Sequence, residues 1–248
     1  MIEKGNEEAL AGQKTGRGPF EDAVEQRYSG KNGKNYHRAK HVVPDEVYRW
    51  VARLRAEKIG PFVTPEDTVL EYGVGNGWNL AGLHCHERLG FDLSEHLEST
   101  VMNHGICFVK DPATVADASV DVVLCHHVLE HTTSPTQVLH EIRRMLRPGG
   151  RFLLFVPYEK GKRCQRYEGQ EPDHHLYSWN VQTLGNLVAD MGFHVSVAGI
   201  GRFGYDQFAG VLAARLHLGE WGFRFMRHAM HLLLPKLEVR IVAERPQQ

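Results

Sequence analysis

From Thr68 onward the chain alternates short apolar runs with stretches of helical periodicity, and that alternation admits few architectures besides a parallel sheet covered by helices. Thr68–Tyr72 (TVLEY), Leu89–Asp92, Cys107–Lys110, Val120–Cys125 (VDVVLC) and Arg151–Val156 (RFLLFV) read as strands. The fourth is apolar at nearly every position, as burial on both faces demands. Between them, Trp78–Cys85, a segment capped by Ser94 and running to His104, and Pro135–Leu146 read as helices, the last stopped by Pro148-Gly149-Gly150. A helix Val181–Met191 ended by Gly192 and a strand Phe193–Ile200 follow. The insert Gly201–Pro235 mixes aromatic and apolar residues with Arg215, Arg224 and Arg227, which predicts two amphipathic helices. The tail Leu237–Ala243 alternates as a last strand. Upstream, Pro44 opens a helix that carries Val47, Val51 and Leu54 on one face.

Residues 1–28 lack a sustained apolar period and read as a flexible arm with one short helix near Phe20–Gln26. Tyr28–Tyr36 reads as a basic loop interrupted by glycine, and 29–248 as a single domain carrying the 201–235 insert. The 29 Lys and Arg nearly cancel the 30 Asp and Glu, so no global field gathers nucleic acid or an anionic membrane. No apolar run reaches the roughly 20 residues a bilayer span needs, and the N-terminus lacks a signal pattern. A cytoplasmic chain is expected. Cys85, Cys107, Cys125 and Cys164 form no C-x-x-C pair, which removes the commonest zinc and redox spacings.

The chemistry concentrates at Glu71-Tyr72-Gly73-Val74-Gly75-Asn76-Gly77, where a strand is expected to turn into a helix. Glycines there let backbone approach a ligand, and the helix start would offer unpaired N–H groups. Asp92 closes the next strand 21 positions beyond Glu71, near the offset at which an acidic side chain takes a ribose diol. Together they favour a ligand containing adenosine. The spacing departs from the G-x-G-x-x-G of dinucleotide sites, and a carboxylate before the loop would repel a pyrophosphate but suits a cationic amino group.

With this loop, GFDLS (Gly90–Ser94), the segment Val120–Pro157 and DHHLYSW (Asp173–Trp179), the chain resembles the class I S-adenosylmethionine-dependent methyltransferases over about residues 40–200, most closely the branch related to quinone and polysaccharide enzymes. The resemblance implies a Rossmann-like, doubly wound, seven-stranded and mostly parallel sheet, its last strand antiparallel beside the fifth. It implies S-adenosyl-L-methionine as cofactor, with Gly73, Gly75 and Gly77 along the methionine moiety and Glu71 at its amino group, directly or through water. Asp92 would take the ribose and Leu93 the adenine face. Asp111, or Ala113 or Thr114 in another register, would meet the adenine edge, and His126 the methionine.

Methyl transfer asks for alignment and exclusion of water, with a base only where the acceptor is a hydroxyl. His127 and His131 beside Glu130, and His174 and His175 in the loop after the fifth strand, are the candidates for that base or for acceptor contact; a structural role for His131 stands beside it. No metal site is assigned, although His127, Glu130 and His131 with His174 or His175 would make an N/O donor set for Mg, Mn or Zn. The expected acceptor is a small molecule, or one linked to lipid or sugar, methylated on oxygen. Two alternatives stay open: a metal-assisted RNA methyltransferase, disfavoured by the charge balance and by His127 where that family carries Glu, and a non-catalytic cofactor-binding module of the same fold. Tyr36, His37, Arg38 and the basic run Lys160–Arg166 are weaker acceptor-side candidates. No oligomeric state is legible.

Overall fold

The computed structural model describes residues 26–34, 43–160, 166–167, 169 and 173–247. The expected arm up to residue 25, Tyr36, His37, Arg38 and most of the basic run after Lys160 lie outside the described residues. Residues 26–28 and 30–34 are helical, so helix extends past Gln26 into the segment from Tyr28 where a loop was expected.

Seven strands form one sheet in the order β3-β2-β1-β4-β5-β7-β6. They are β1 Thr68–Tyr72, β2 Glu87–Phe91, β3 Cys107–Val109, β4 Val120–His126, β5 Leu146–Pro157, β6 His194–Phe203 and β7 Lys236–Glu244. The first five pair in parallel, and β7 runs antiparallel between β5 and β6. The tail strand therefore takes the place that the resemblance implied.

Alternation along β4 and β5 builds two cores from the same strands. Val123, Cys125, Phe152, Leu154 and Val156 face one side, where helices α3 (Pro135–Met145) and α4 (Val181–Asp190) cover them through Leu139, Ile142, Leu184 and Val188. Val122, Leu124, Leu153 and Phe155 face the other, under Ile59 of α1 (Asp45–Ile59) and Val101 of α2 (Glu98–Asn103). The insert folds as two helices, α5 (Asp206–Arg215) and α6 (Gly219–Leu233), and packs on α1 through Ala209, Ala213 and Phe223 against Val47, Trp50 and Val51. No helix among the described residues is long and apolar enough to cross a membrane.

Two further elements differ from expectation. No helix follows β1: residues 75–82 are a chain of turns, in which Leu80 N–H and Ala81 N–H both reach the Gly77 carbonyl. The segment is packed tightly on α1, where a Cβ at Gly82 would lie 2.8 Å from the Ala52 carbonyl oxygen, and such tertiary context can override a local helical pattern. Leu80 and Leu83 still plug the core. In addition, Pro148-Gly149-Gly150 sits inside β5 rather than before it, tied to the tail by Gly149 N–H to the Arg245 carbonyl at 2.8 Å.

Strand order reverses between β1 and β4, so the crevice at their carboxyl ends is where a doubly wound sheet binds its ligand. Glu71, Asp92 and His126 all arrive there.

Candidate active site

A cleft of about 1020 Å³ opens over that edge, walled by the turn after β1, the ends of β2, β4 and β5, α1, α5, the 173–175 loop and the start of β7. Its floor is Glu71, whose side chain is 1% exposed. Oε1 accepts from Asn79 Nδ2 at 2.5 Å, whereas Oε2 is buried with no hydrogen-bond partner. Burial pushes the carboxyl up to about 8, against the opposing pull of Asn79 and Arg55. A carboxyl held this way gains by meeting a cation.

The turn above it is fixed from both sides. Gly73 and Val74 N–H donate to the Phe91 carbonyl at 2.8 Å, and Tyr48 hydroxyl donates to the Asn76 carbonyl at 3.0 Å. Asp92 accepts from Gly75 N–H on one oxygen and Ser94 N–H on the other, both at 2.9 Å. Burial raises its carboxyl above the ordinary range, and those two N–H donors work against that shift. The glycines divide by purpose. At Gly73 (φ +84°) a Cβ would lie 2.2 Å from Val128 Cγ2, whereas at Gly75 (φ +51°) it would meet nothing within 4 Å. Gly75 leaves room for a ligand; Gly73 leaves room for the neighbouring chain.

At the end of β4 stand His126 and His127, their rings stacked at 4.4 Å. Arg55 Nη1 lies 2.9 Å from His126 Nε2, and a guanidinium only donates, so the imidazole is neutral with its proton on Nδ1. Burial, then the charges of His127, Lys58 and Arg55, hold His126 well below the usual histidine range. His127 is bent into the left-handed region (φ 57°) and turns Nε2 toward Glu238 Oε2 at 3.4 Å. Glu238 also accepts from Lys58 and Arg240 at 2.7 Å. Its carboxyl is held down to about 2, because His127 and Lys58 outweigh the opposing effect of burial.

The opposite corner holds Glu130, His131 and His175. Leu176 N–H donates to the Glu130 carbonyl at 2.8 Å, which brings the 173–175 loop against the turn Leu129–His131. Glu130 is 1% exposed and neither carboxylate oxygen has a hydrogen-bond partner. Burial raises its carboxyl to about 8. His131 Nδ1 meets the Tyr28 hydroxyl at 3.0 Å, and its Nε2 faces Glu130 Oε1 at 3.9 Å. His175 Nδ1 pairs with Glu159 at 2.9 Å. Burial works to lower the His175 imidazole, but Glu159, Glu130 and Asp173 raise it overall.

Of the residues expected from sequence, Glu71, Gly73, Gly75, Asp92, Leu93, His126, His127, His131 and His175 wall the cleft. Three are placed elsewhere. Gly77 packs under Ile106, Asp111 caps a short turn by accepting from Ala113 N–H at 2.9 Å, and His174 turns its carbonyl to His131 Nδ1 at 3.4 Å. The structure also parts His127 from Glu130 and His131, sending it to Glu238. Arg55, Asn79, Tyr28 and Glu238 went unread. None carried a local signal: in the alternating tail strand Glu238 falls on the polar face, and only the fold buries it.

An orphaned buried carboxylate oxygen, open space over Gly75 and a second carboxylate across the turn fit an adenosyl ligand that carries a cationic amine. The chain matches the methyltransferase-domain family over residues 36–196. It is 54% identical over 41 residues to human thiol S-methyltransferase TMT1B (16% of this chain, 17% of that protein). It is 37% identical over 59 residues to the ubiquinone biosynthesis O-methyltransferase of Xanthomonas oryzae pv. oryzae (23% and 25%). Across the curated relatives, the matched stretches span from 17% to about half (52%) of the relatives' own lengths. Its backbone is similar to that of Burkholderia thailandensis 1,6-didemethyltoxoflavin-N1-methyltransferase, crystallised with its acceptor and S-adenosylhomocysteine, at TM-score 0.57 and 19% identity over 93% of this chain and 91% of that one. That likeness concerns the fold. The family match covers well over half of the sequence, and the chain therefore belongs to the class I S-adenosylmethionine-dependent methyltransferases.

Proposed function

We propose that this chain transfers the methyl group of S-adenosylmethionine to an oxygen of a small-molecule acceptor, free or linked to lipid or sugar. The observation that carries the reading is the unpaired, buried Oε2 of Glu71 beneath a glycine turn clamped by Asp92. Glu71 would hold the amino group and Asp92 the ribose, with Leu93 against the adenine. His126, neutral and fixed by Arg55, would border the methionine moiety without adding positive charge near the sulfonium. Bound cofactor supplies an electrophilic methyl carbon; the chain's part is to orient it and exclude water.

The acceptor would enter between the Glu130–His131–His175 corner and the apolar lip formed by Phe203, Tyr205, Phe208 and Leu237. A hydroxyl needs activation before it attacks, and that corner is where the cleft gathers groups able to provide it. Thiol, oxygen and nitrogen acceptors all appear among the names of the similar proteins, so the preference for oxygen rests on the corner alone.

Calorimetric titration with S-adenosylhomocysteine tests the cofactor site. Asp92→Ala is expected to weaken binding by about 1.5 to 3 kcal/mol, the scale of lost hydrogen bonds to a charged group, whereas His131→Ala should leave it nearly unchanged. Equal losses would mean that the site is misplaced. A panel of phenols, thiols and amines, read by formation of S-adenosylhomocysteine, tests the acceptor; turnover confined to thiols or amines would remove the oxygen assignment.

A further inference from the structure

A line of apolar side chains runs along the outward face of α6. Leu218, Trp221, Phe225 and Leu232 recur three, four and seven positions apart, which sets them on one side of a helix. All four are exposed, Trp221 at 86% and Phe225 at 75%, while Phe223 on the opposite side is buried. Leu233 and Leu234, also exposed, carry the line off the end of the helix. Eight of the fifteen exposed large apolar side chains among the described residues fall within 201–235, so they make a patch rather than the scattered exposure that any surface carries.

We infer that this face docks on the surface of an anionic lipid bilayer, with α6 lying in the plane of the interface. Charge selects that occupant. Residues 201–236 hold five Lys and Arg against two acids, a balance of +3 in a chain whose total is −1. Both acids are already engaged: Asp206, buried, accepts from Arg55 and Arg227, and Glu220 pairs with Arg53 and Arg224. Arg215 and Lys236, both exposed, flank the line in the chain, before Leu218 and after Leu234. Long basic side chains placed so keep their charge among headgroups while their apolar neighbours enter the acyl boundary. A second copy of the chain fits this face poorly, because a two-fold contact would set the positive patch against itself. Nucleic acid would meet the cations and leave the apolar line unburied.

The line leads to the cleft. Pro235, Lys236 and Leu237, which follow it directly, and the exposed Phe208 of α5 all wall that cleft. A face seated on a bilayer therefore holds the acceptor side of the cleft at headgroup level. Combined with the proposed methyl transfer, on which this step rests, that selects an acceptor whose apolar tail stays in the bilayer while its hydroxyl-bearing head enters the cleft. The docking itself does not rest on that reading.

Docking is measured on the full chain with vesicles and no cofactor. Co-sedimentation compares vesicles of phosphatidylcholine with vesicles in which about a third of the lipid is phosphatidylglycerol. At low salt the parent should bind the anionic vesicles at least about 10-fold more tightly than the neutral ones, and high salt should remove most of that preference. Its tryptophan emission should shift to the blue as Trp221 leaves water. Trp221→Ser combined with Phe225→Ser should weaken binding by more than about 10-fold, the scale of fully burying one such side chain, and abolish the shift. Arg215→Gln combined with Lys236→Gln should weaken binding to the anionic vesicles alone, by roughly 10-fold or more. Circular dichroism checks that each variant is folded. Absence of binding by the parent, equal binding to both kinds of vesicle, or parental binding by the folded Trp221→Ser, Phe225→Ser chain overturns the docking. So does a parent that sediments as a dimer without vesicles and becomes a monomer with those two substitutions, which makes the line an interface between copies. Titration with S-adenosylhomocysteine separates the two readings: vesicle binding without cofactor binding removes methyl transfer alone, and cofactor binding without vesicle binding removes the docking alone.

Discussion

Glu71 sets the behaviour of the site through a single proton. In the free chain its carboxyl is raised to about 8, so at pH 7 it is mostly protonated. Pairing with a ligand ammonium requires the carboxylate, so binding should release close to one proton at pH 7. Calorimetry in buffers of different ionisation enthalpy measures this, and affinity should climb toward pH 8 with a slope that Glu71→Gln abolishes. The sign for stability is opposite. The folded chain binds this proton more tightly than the unfolded chain, whose value is 4.5, so stability falls as pH rises from about 5 toward 8. Without ligand, Glu71→Gln should raise Tm relative to the parent more at pH 8 than at pH 5. The glycines separate in the same assays. Gly75→Ala pays about 1 to 2 kcal/mol for its left-handed backbone and loses cofactor affinity. Gly73→Ala adds a clash with Val128 and should be the more destabilising, by at least about 2 kcal/mol in denaturant titration.

Among elements, the contact between α1, α5, α6 and β7 is decided by charge as much as by apolar packing. Asp206, 4% exposed at the start of α5, accepts from Arg55 of α1 and Arg227 of α6, each at 2.5 Å. Burial would raise its carboxyl, but the two guanidiniums hold it below the ordinary range. Removing one partner of such a network strands the others without compensation. Asp206→Ala should therefore cost about 3 to 5 kcal/mol in chemical denaturation. Because Arg55 also holds His126, the loss should reach the cleft: the variant should bind S-adenosylhomocysteine more weakly, and an unchanged affinity would separate the network from the site. At low pH the same region loses stability. Glu238, depressed to about 2, contributes stability that is complete above 4.5 and is lost as pH falls through 2.

At the scale of the molecule, the described strands form one sheet, and we take residues 29–248 as one cooperative unit. Urea unfolding should show a single transition by both tryptophan fluorescence and circular dichroism; two transitions would divide the chain. A ligand bound only by the folded state stabilises it by mass action, about 2.7 kcal/mol at 100 times its Kd. For a chain of this size that is roughly 5 to 10 °C in Tm. S-adenosylhomocysteine should produce this shift. NADH should not, because the turn lacks the spacing that seats a pyrophosphate.

By itself the sequence determined the sheet and the entrance to the site. Strand positions are written in short local apolar runs, and a glycine turn flanked by Glu71 and Asp92 is a local constraint on backbone and charge. Each can be read within a few tens of residues. Only the tertiary structure decided which polar groups meet. The helical pattern at Trp78–Cys85 gave way to turns that pack Gly82 against α1, a contact that no local period encodes. Asp111 lies outside the cleft lining and caps a short turn instead. His127 sits four residues from His131, yet a left-handed backbone at His127 sends the two to opposite ends of the cleft. Arg55, Glu238 and Tyr28 reach the site from α1, β7 and the N-terminal turns, and an ion pair between distant segments leaves no period in either. Local pattern is fixed by nearest-neighbour sterics and burial; the chemistry of the cleft is fixed by which side chains the closed sheet forces to share one dry volume.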